Sequence, residues 1–167
     1  MTLQADTKDL HHACEAHPVG AAMSAGTVDE QTWADWLGCL FVVHETLDRS
    51  LPDELRRVDR IALDIAAMGD VKPTLNKAAV RYAAGLLESA YAIRAATYVF
   101  TGAHLMGGEV MRRRLEDRLP CAHLRWDDRR ASLDLWRPYR ECVGISAQAR
   151  DAFAAILKMM DEMHRGA

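Results

Sequence analysis

The chain has 167 residues, half of them apolar, 27% charged and 7% aromatic, a length and balance that allow one domain over 1–167 to close around a core. Its net charge is −3 with both signs interspersed, which argues against a broad cationic face for nucleic acid. Asp48, Asp64, Glu88 and Arg94 interrupt every apolar run, so none approaches the ~20 residues needed to span a bilayer. The first nine residues lack a hydrophobic signal core. Cys14, Cys39, Cys121 and Cys142 are scattered without a CxxC pair, as free thiols in a reducing compartment would be. A soluble cytoplasmic protein with no membrane partner is expected.

Ala, Leu, Arg, Glu and Met are abundant, and no stretch alternates apolar and polar residues over a strand's length, so the expected class is all-α. Thr27, Val28, Asp29 and Glu30 read as a capping box. Trp33, Trp36, Leu37, Leu40, Phe41, His44 and Leu47 follow at three- and four-residue spacing, the apolar stripe of a helix running to about Arg49. Pro52 suits the first turn of another, which Gly69 and Asp70 stop. Thr74 is placed to cap a third that runs through Leu87.

Residues 88–119 form an unusual stretch, with Gly102, Gly107 and Gly108 inside an expected helix, where each costs ~1 kcal/mol relative to alanine. A basic amphipathic end, Pro120 and a polar loop to about Arg130 come next, and two more helices fit residues 131–141 and 146–164.

His11 and Glu15 are four apart near the N-terminus. On a helix they share a face, where the carboxylate can orient an imidazole that binds a metal, although an incidental solvated pair has the same spacing. His12 points elsewhere and His17 ends the helix, so both are expected at the surface. Without side chains at Gly107 and Gly108, the backbone there can lie flat against another surface, either a neighbouring helix or a large planar ligand.

The segment Thr-Lys-Asp-Leu-His-x-x-x-Glu, ending at Glu15, together with Leu-Met-Gly-Gly-Glu-Val-Met-Arg-Arg, starting at Leu105, resembles the heme oxygenase family. Residues 26–48 are similar to its second long helix, Arg56 to Gly69 to a segment common in bacterial biliverdin-forming members, and Leu135 to Arg140 to its penultimate helix. The resemblance implies a heme oxygenase-like helical bundle that cleaves heme, cofactor and substrate at once, to biliverdin, carbon monoxide and ferrous iron with O2 and reductant. It places His11 as proximal iron ligand and Glu15 as its carboxylate neighbour. Gly107 and Gly108 match the distal glycines that let backbone approach the porphyrin, and Tyr98 and Arg137 match residues that meet the propionates. A ferredoxin or flavin reductase is the implied electron donor, since the chain has no nucleotide fingerprint or Fe–S cysteine spacing.

The chain departs from the family at three positions. Gln4 and Leu133 stand where the family places lysines near the propionates, and His104 stands where well-studied members carry an aspartate that orders water and delivers a proton. His104 can serve as a proton donor, ligate iron itself and close the oxygen site, or bond a neighbouring carbonyl as a bystander. The second of these would make the chain a heme-binding protein without turnover. A non-heme diiron oxygenase would need paired Glu-x-x-His spacings, and only Asp161-x-x-His164 comes near. Trp33, Trp36, Met159, Met160 and Met163 could instead form a partner-binding stripe, although such spacing more often marks core.

Overall fold

The computed structural model describes residues 2–166 and is all-α; Met1 and Ala167 lie outside it, and no strand occurs among the described residues. Helix α1 (Leu3–Ala16) is capped by Thr2, whose hydroxyl accepts from Ala5 N–H at 3.3 Å. A single residue, His17, separates it from α2 (Pro18–Ala25). The His17 backbone N–H closes α1 on Ala13 O at 3.0 Å, and its ring Nδ1 accepts from Val19 N–H at 3.2 Å to open α2. The sequence placed His17 at the surface, but this double capping role and its contact with Asp161, 3.4 Å from Nε2, leave its side chain only 12% exposed.

Helix α3 (Glu30–Leu47) runs through the core, burying Trp33, Leu37, Leu40 and His44 along one face and packing against α4 (Val58–Ala67), α5 (Lys77–Leu86) and α10 (Ser146–Gly166). Its cap is Asp29 rather than Thr27, because Asp29 accepts from both Thr32 N–H at 2.8 Å and the Thr32 hydroxyl at 2.7 Å. Pro52 precedes only a single tight turn, Asp53–Leu55, and α4 starts at Val58. Gly69 then reverses the chain at φ 64°. Thr74 does not cap α5; its N–H goes to Asp35 at 2.7 Å, and Asn76 caps the helix through Ala79 N–H at 3.0 Å. Trp33 and Met159 are fully buried, with Met160 and Met163 nearly so. The stripe read as a possible partner surface is core. Burial pushes the thiols of Cys14, Cys39 and Cys121 up to about 12. No helix among the described residues is long and apolar enough to cross a membrane.

The glycine-rich stretch is not one continuous helix. It comprises α6 (Ala90–Ala96), a π-helical turn (Thr97–Thr101), α7 (Gly102–Met106), a break at Gly107 and α8 (Gly108–Leu115). Trp136, on α9 (Arg129–Arg140), supplies the reason for the wide turn: its indole N–H donates to Thr97 O at 3.2 Å. Helices widen where an outside group enters the hydrogen-bond ladder. A Cβ at Gly102 would lie 2.6 Å from the same indole, so glycine at that position admits Trp136.

Gly102→Ala should therefore destabilise the fold by about 1–3 kcal/mol through overpacking, despite alanine's better helix propensity. At Gly85 of α5 a Cβ meets nothing within 4 Å, so Gly85→Ala should stabilise by about 0.5–1 kcal/mol. Urea unfolding followed by circular dichroism checks both signs.

Candidate functional site

Helix α2 packs against both α1 and α8 and so fixes the N-terminal helix beside the glycine break. On α1, His11 and Glu15 are exposed, with 3.7 Å between Nδ1 and Oε2. That is too long for a hydrogen bond but close enough for the carboxylate to orient the ring. Phe153 of α10 meets the His11 ring edge-on, at 5.7 Å between centroids. The ligand atoms of His11, His12 and Glu15 lie within 4.8 Å of one another, the one such group of three found among the described residues.

The distal segment presents Ala103, Met106, Gly107 and Val110 to solvent. Met106 and Val110 are each 56% exposed, unusual for large apolar side chains on one short strip. The three glycines have different surroundings. A Cβ at Gly107 would meet only the Ala103 carbonyl, at 3.4 Å, whereas at Gly108 it would press on Leu124 at 3.3 Å and at Gly102 on Trp136. Gly107 therefore opens onto the strip, while Gly108 serves helix packing. Tyr98 is half-buried and stacked on Trp136 at 5.9 Å, and the neighbouring Arg137 is exposed and paired with Asp134 at 2.8 Å. Gln4 is exposed and Leu133 half-buried. Asp161 and His164 lie beside His17, with His164 and His17 rings 6.1 Å apart.

His104 points inward, and its residue is only 6% exposed. Its ring lies 5.3 Å from that of His44 on α3 and 5.3 Å from that of His123, in the turn Ala122–Leu124. Each outer ring is bound to a buried carboxylate, His44 Nδ1 to Asp48 at 2.8 Å and His123 Nδ1 to Asp64 at 2.5 Å. Asp48 also accepts from Arg57 N–H and Val58 N–H at 2.6 and 2.7 Å, and Asp64 from Ala122 N–H and His123 N–H at 2.6 and 2.8 Å. The Arg57 guanidinium caps the group from above Trp126, 3.7 Å from its ring centre. His44 Nε2, Thr101 Oγ1 and His104 Nδ1 are sealed from solvent without a hydrogen-bond partner. Sequence reasoning missed His44 and His123 as part of the site. The four-residue spacing of His44 and Asp48, the same as that of His11 and Glu15, was the available signal for the first. His123 and Asp64 are 59 residues apart and had none.

Burial drives the His104 imidazole well below its ordinary value, assisted by His123, His44 and Arg57. It also lowers His123, against the pull of Asp64. Both rings bind protons less readily folded than unfolded, so the stability they confer is complete above about pH 6.5 and lost as the pH falls below it. The unfolding free energy from urea titrations should drop between pH 7 and pH 5, by up to about 1.4 kcal/mol per pH unit for each ring, and His104→Leu should flatten the profile.

No family model matches the sequence, and no curated protein does. Solved structures do. Heme oxygenase-1 from the cyanobacterium Synechocystis, in complex with heme, is 20% identical, with a TM-score of 0.82 over 98% of this chain and 91% of that one. Heme oxygenase from Leptospira interrogans is 17% identical, with a TM-score of 0.80 over 97% of this chain and 100% of that one. At those identities the shared property is architecture, and both similarities run nearly end to end. The chain has the heme oxygenase fold.

Proposed function

We propose that the chain is a heme oxygenase, one domain over 1–167 acting in the cytoplasm to open heme to biliverdin, carbon monoxide and ferrous iron. The observation that supports this best is the pairing, on that fold, of an exposed imidazole backed by a carboxylate with an open apolar strip centred on a glycine. These features suit heme. His11 can offer a neutral ring nitrogen to iron, with Glu15 orienting the ring. Ala103, Met106 and Val110 match an apolar macrocycle, and the missing side chain at Gly107 lets backbone come close.

Bound heme supplies the iron at which O2 is activated and the ring that is oxidised. The remaining tasks fall to the protein. His11 anchors the iron from α1. Arg137 can exchange its exposed Asp134 partner for a propionate, which a guanidinium binds through two parallel donors, and Tyr98 lies behind it on Trp136. With Gln4 and Leu133 at the lysine positions, that anchoring falls mainly on Arg137. Gly108 supports the distal backbone by packing on Leu124, and His104 lies behind that backbone on its interior side. Electrons come from a separate donor, a ferredoxin or flavin reductase.

A second reading, a heme-binding protein without turnover, is favoured by one observation, the histidine at position 104. Hemin titration with ascorbate or a ferredoxin system separates the two. Wild type should bind hemin and then lose its Soret band as biliverdin absorbance grows, while an unchanging six-coordinate spectrum would select the second reading. His11→Ala should alter the ferric spectrum and weaken hemin affinity at least about tenfold, the usual scale for loss of one strong ligand; an untouched spectrum and affinity would remove His11 as ligand. Arg137→Ala should weaken binding by about 1.5–3 kcal/mol with the iron spectrum preserved, as read from the hemin dissociation constant.

A further inference from the structure

We propose that His44 is a positioning residue for His104, holding it as the neutral Nδ1–H tautomer so that Nε2 keeps its lone pair. Its catalytic consequence rests on the heme oxygenase reading; the tautomer itself does not.

Donors and acceptors in the buried cluster balance in only one way. Asp48 and Asp64 each take two backbone N–H groups in addition to a histidine ring nitrogen. Carboxylates so heavily supplied with donors act as acceptors, so the bonds from His44 and His123 are Nδ1–H donations. Each outer ring, when neutral, has only that one N–H and keeps a bare lone pair on Nε2. His44 Nε2 is sealed without a partner, and buried acceptors are rarely left so. The neighbouring ring is His104, at 5.3 Å between centroids and nearly parallel, and its Nδ1 is sealed and unpartnered as well. A proton on His104 Nδ1 gives the His44 lone pair a donor through one bridging water. The reverse tautomer would bring two lone pairs together. With the proton on Nδ1, the lone pair of the neutral His104 ring stays on Nε2.

Thr101 is the competing donor. Its hydroxyl is also sealed without a partner, three residues before His104 and so on the same side of the distal segment. The remaining charged or titratable groups around His104 are His123, Asp48, Asp64 and Arg57. None of them bonds Nδ1, which has no partner, and the Arg57 guanidinium directs its bonds to the Arg125, Glu54 and Arg56 carbonyls instead. The cluster is not drawn around a cation either, since its ring nitrogens do not converge as those of His11 and His12 do with Glu15.

In this arrangement His104 can take a hydrogen bond at Nε2 and cannot give one there. That differs from the donor role the family's aspartate position first suggests, and it makes His44, on another helix, the residue that decides the role.

Long-range 1H–15N imidazole spectra of the heme-free chain at pH 7.5 test the assignment. His104 should show a protonated Nδ1 and a bare Nε2, unchanged in Thr101→Val and shifted to a tautomer mixture in His44→Leu and Asp48→Asn. A protonated Nε2 in wild type overturns the proposal, as does a spectrum indifferent to both the His44 and the Asp48 variants. One equivalent of bound zinc or iron lost on His44→Leu also overturns it. Circular dichroism establishes that each variant folds, and Asp48→Asn preserves size should His44→Leu not fold. In hemin-loaded protein His44→Leu should lower kcat at least tenfold with hemin affinity and KM within twofold. An unaltered kcat removes the catalytic consequence, whereas failure of wild type to bind hemin removes the heme oxygenase reading and leaves the spectra of the heme-free chain to decide the tautomer.

Discussion

The buried carboxylate of Asp64 organises the interior. The segment after α8 has almost no regular structure, yet it must cover the inner side of the distal helix. Asp64 holds it through two backbone N–H groups and the His123 ring, a charge-assisted set stronger than neutral bonds of the same number. With that turn fixed, Leu124 lies against Gly108, His123 against His104, and Trp126 under Arg57. Asp48 does the same for the start of α4 and for His44. Two carboxylates, each made tolerable in the interior by several donors, thus align three imidazoles that local sequence would not bring together.

What could be read in advance depended on whether the cause was local. The all-α class, the long third helix and the shared face of His11 and Glu15 follow from spacing within a few residues, and the structure shows each of them. Helix starts were misplaced at Thr27 and Thr74 because neighbouring residues could cap equally well, and side-chain geometry at Asp29 and Asn76 settles the choice; Pro52 opens only the turn Asp53–Leu55, and α4 starts at Val58 without a side-chain cap. The wide turn at Thr97–Thr101 was illegible for a stronger reason. It is made by an indole 39 residues away, and nothing in the sequence of the turn announces it.

The glycines show the same division. Read as a motif, Gly107 and Gly108 are one feature with two explanations, close helix packing or a planar ligand. In the folded chain the explanations separate, with Gly108 answering to Leu124 and Gly107 to open space. Gly102, which drew attention only as a cost to helix stability, admits Trp136. The small residues of this stretch therefore serve an indole, a leucine and an open face in turn.

The contact between Trp136 and the Thr97 carbonyl also sets a rotational register. A π turn accommodates about one residue more than an α turn would, and each residue advances a helix by roughly 100°. Everything downstream is thereby turned by about that angle relative to α6. In the turned register the strip at Ala103, Met106 and Gly107 faces outward and His104 inward. A tryptophan on a different helix thus decides which side of the distal segment is presented to a ligand, and a change in its seating would swing that side by roughly 100° without altering any residue on it.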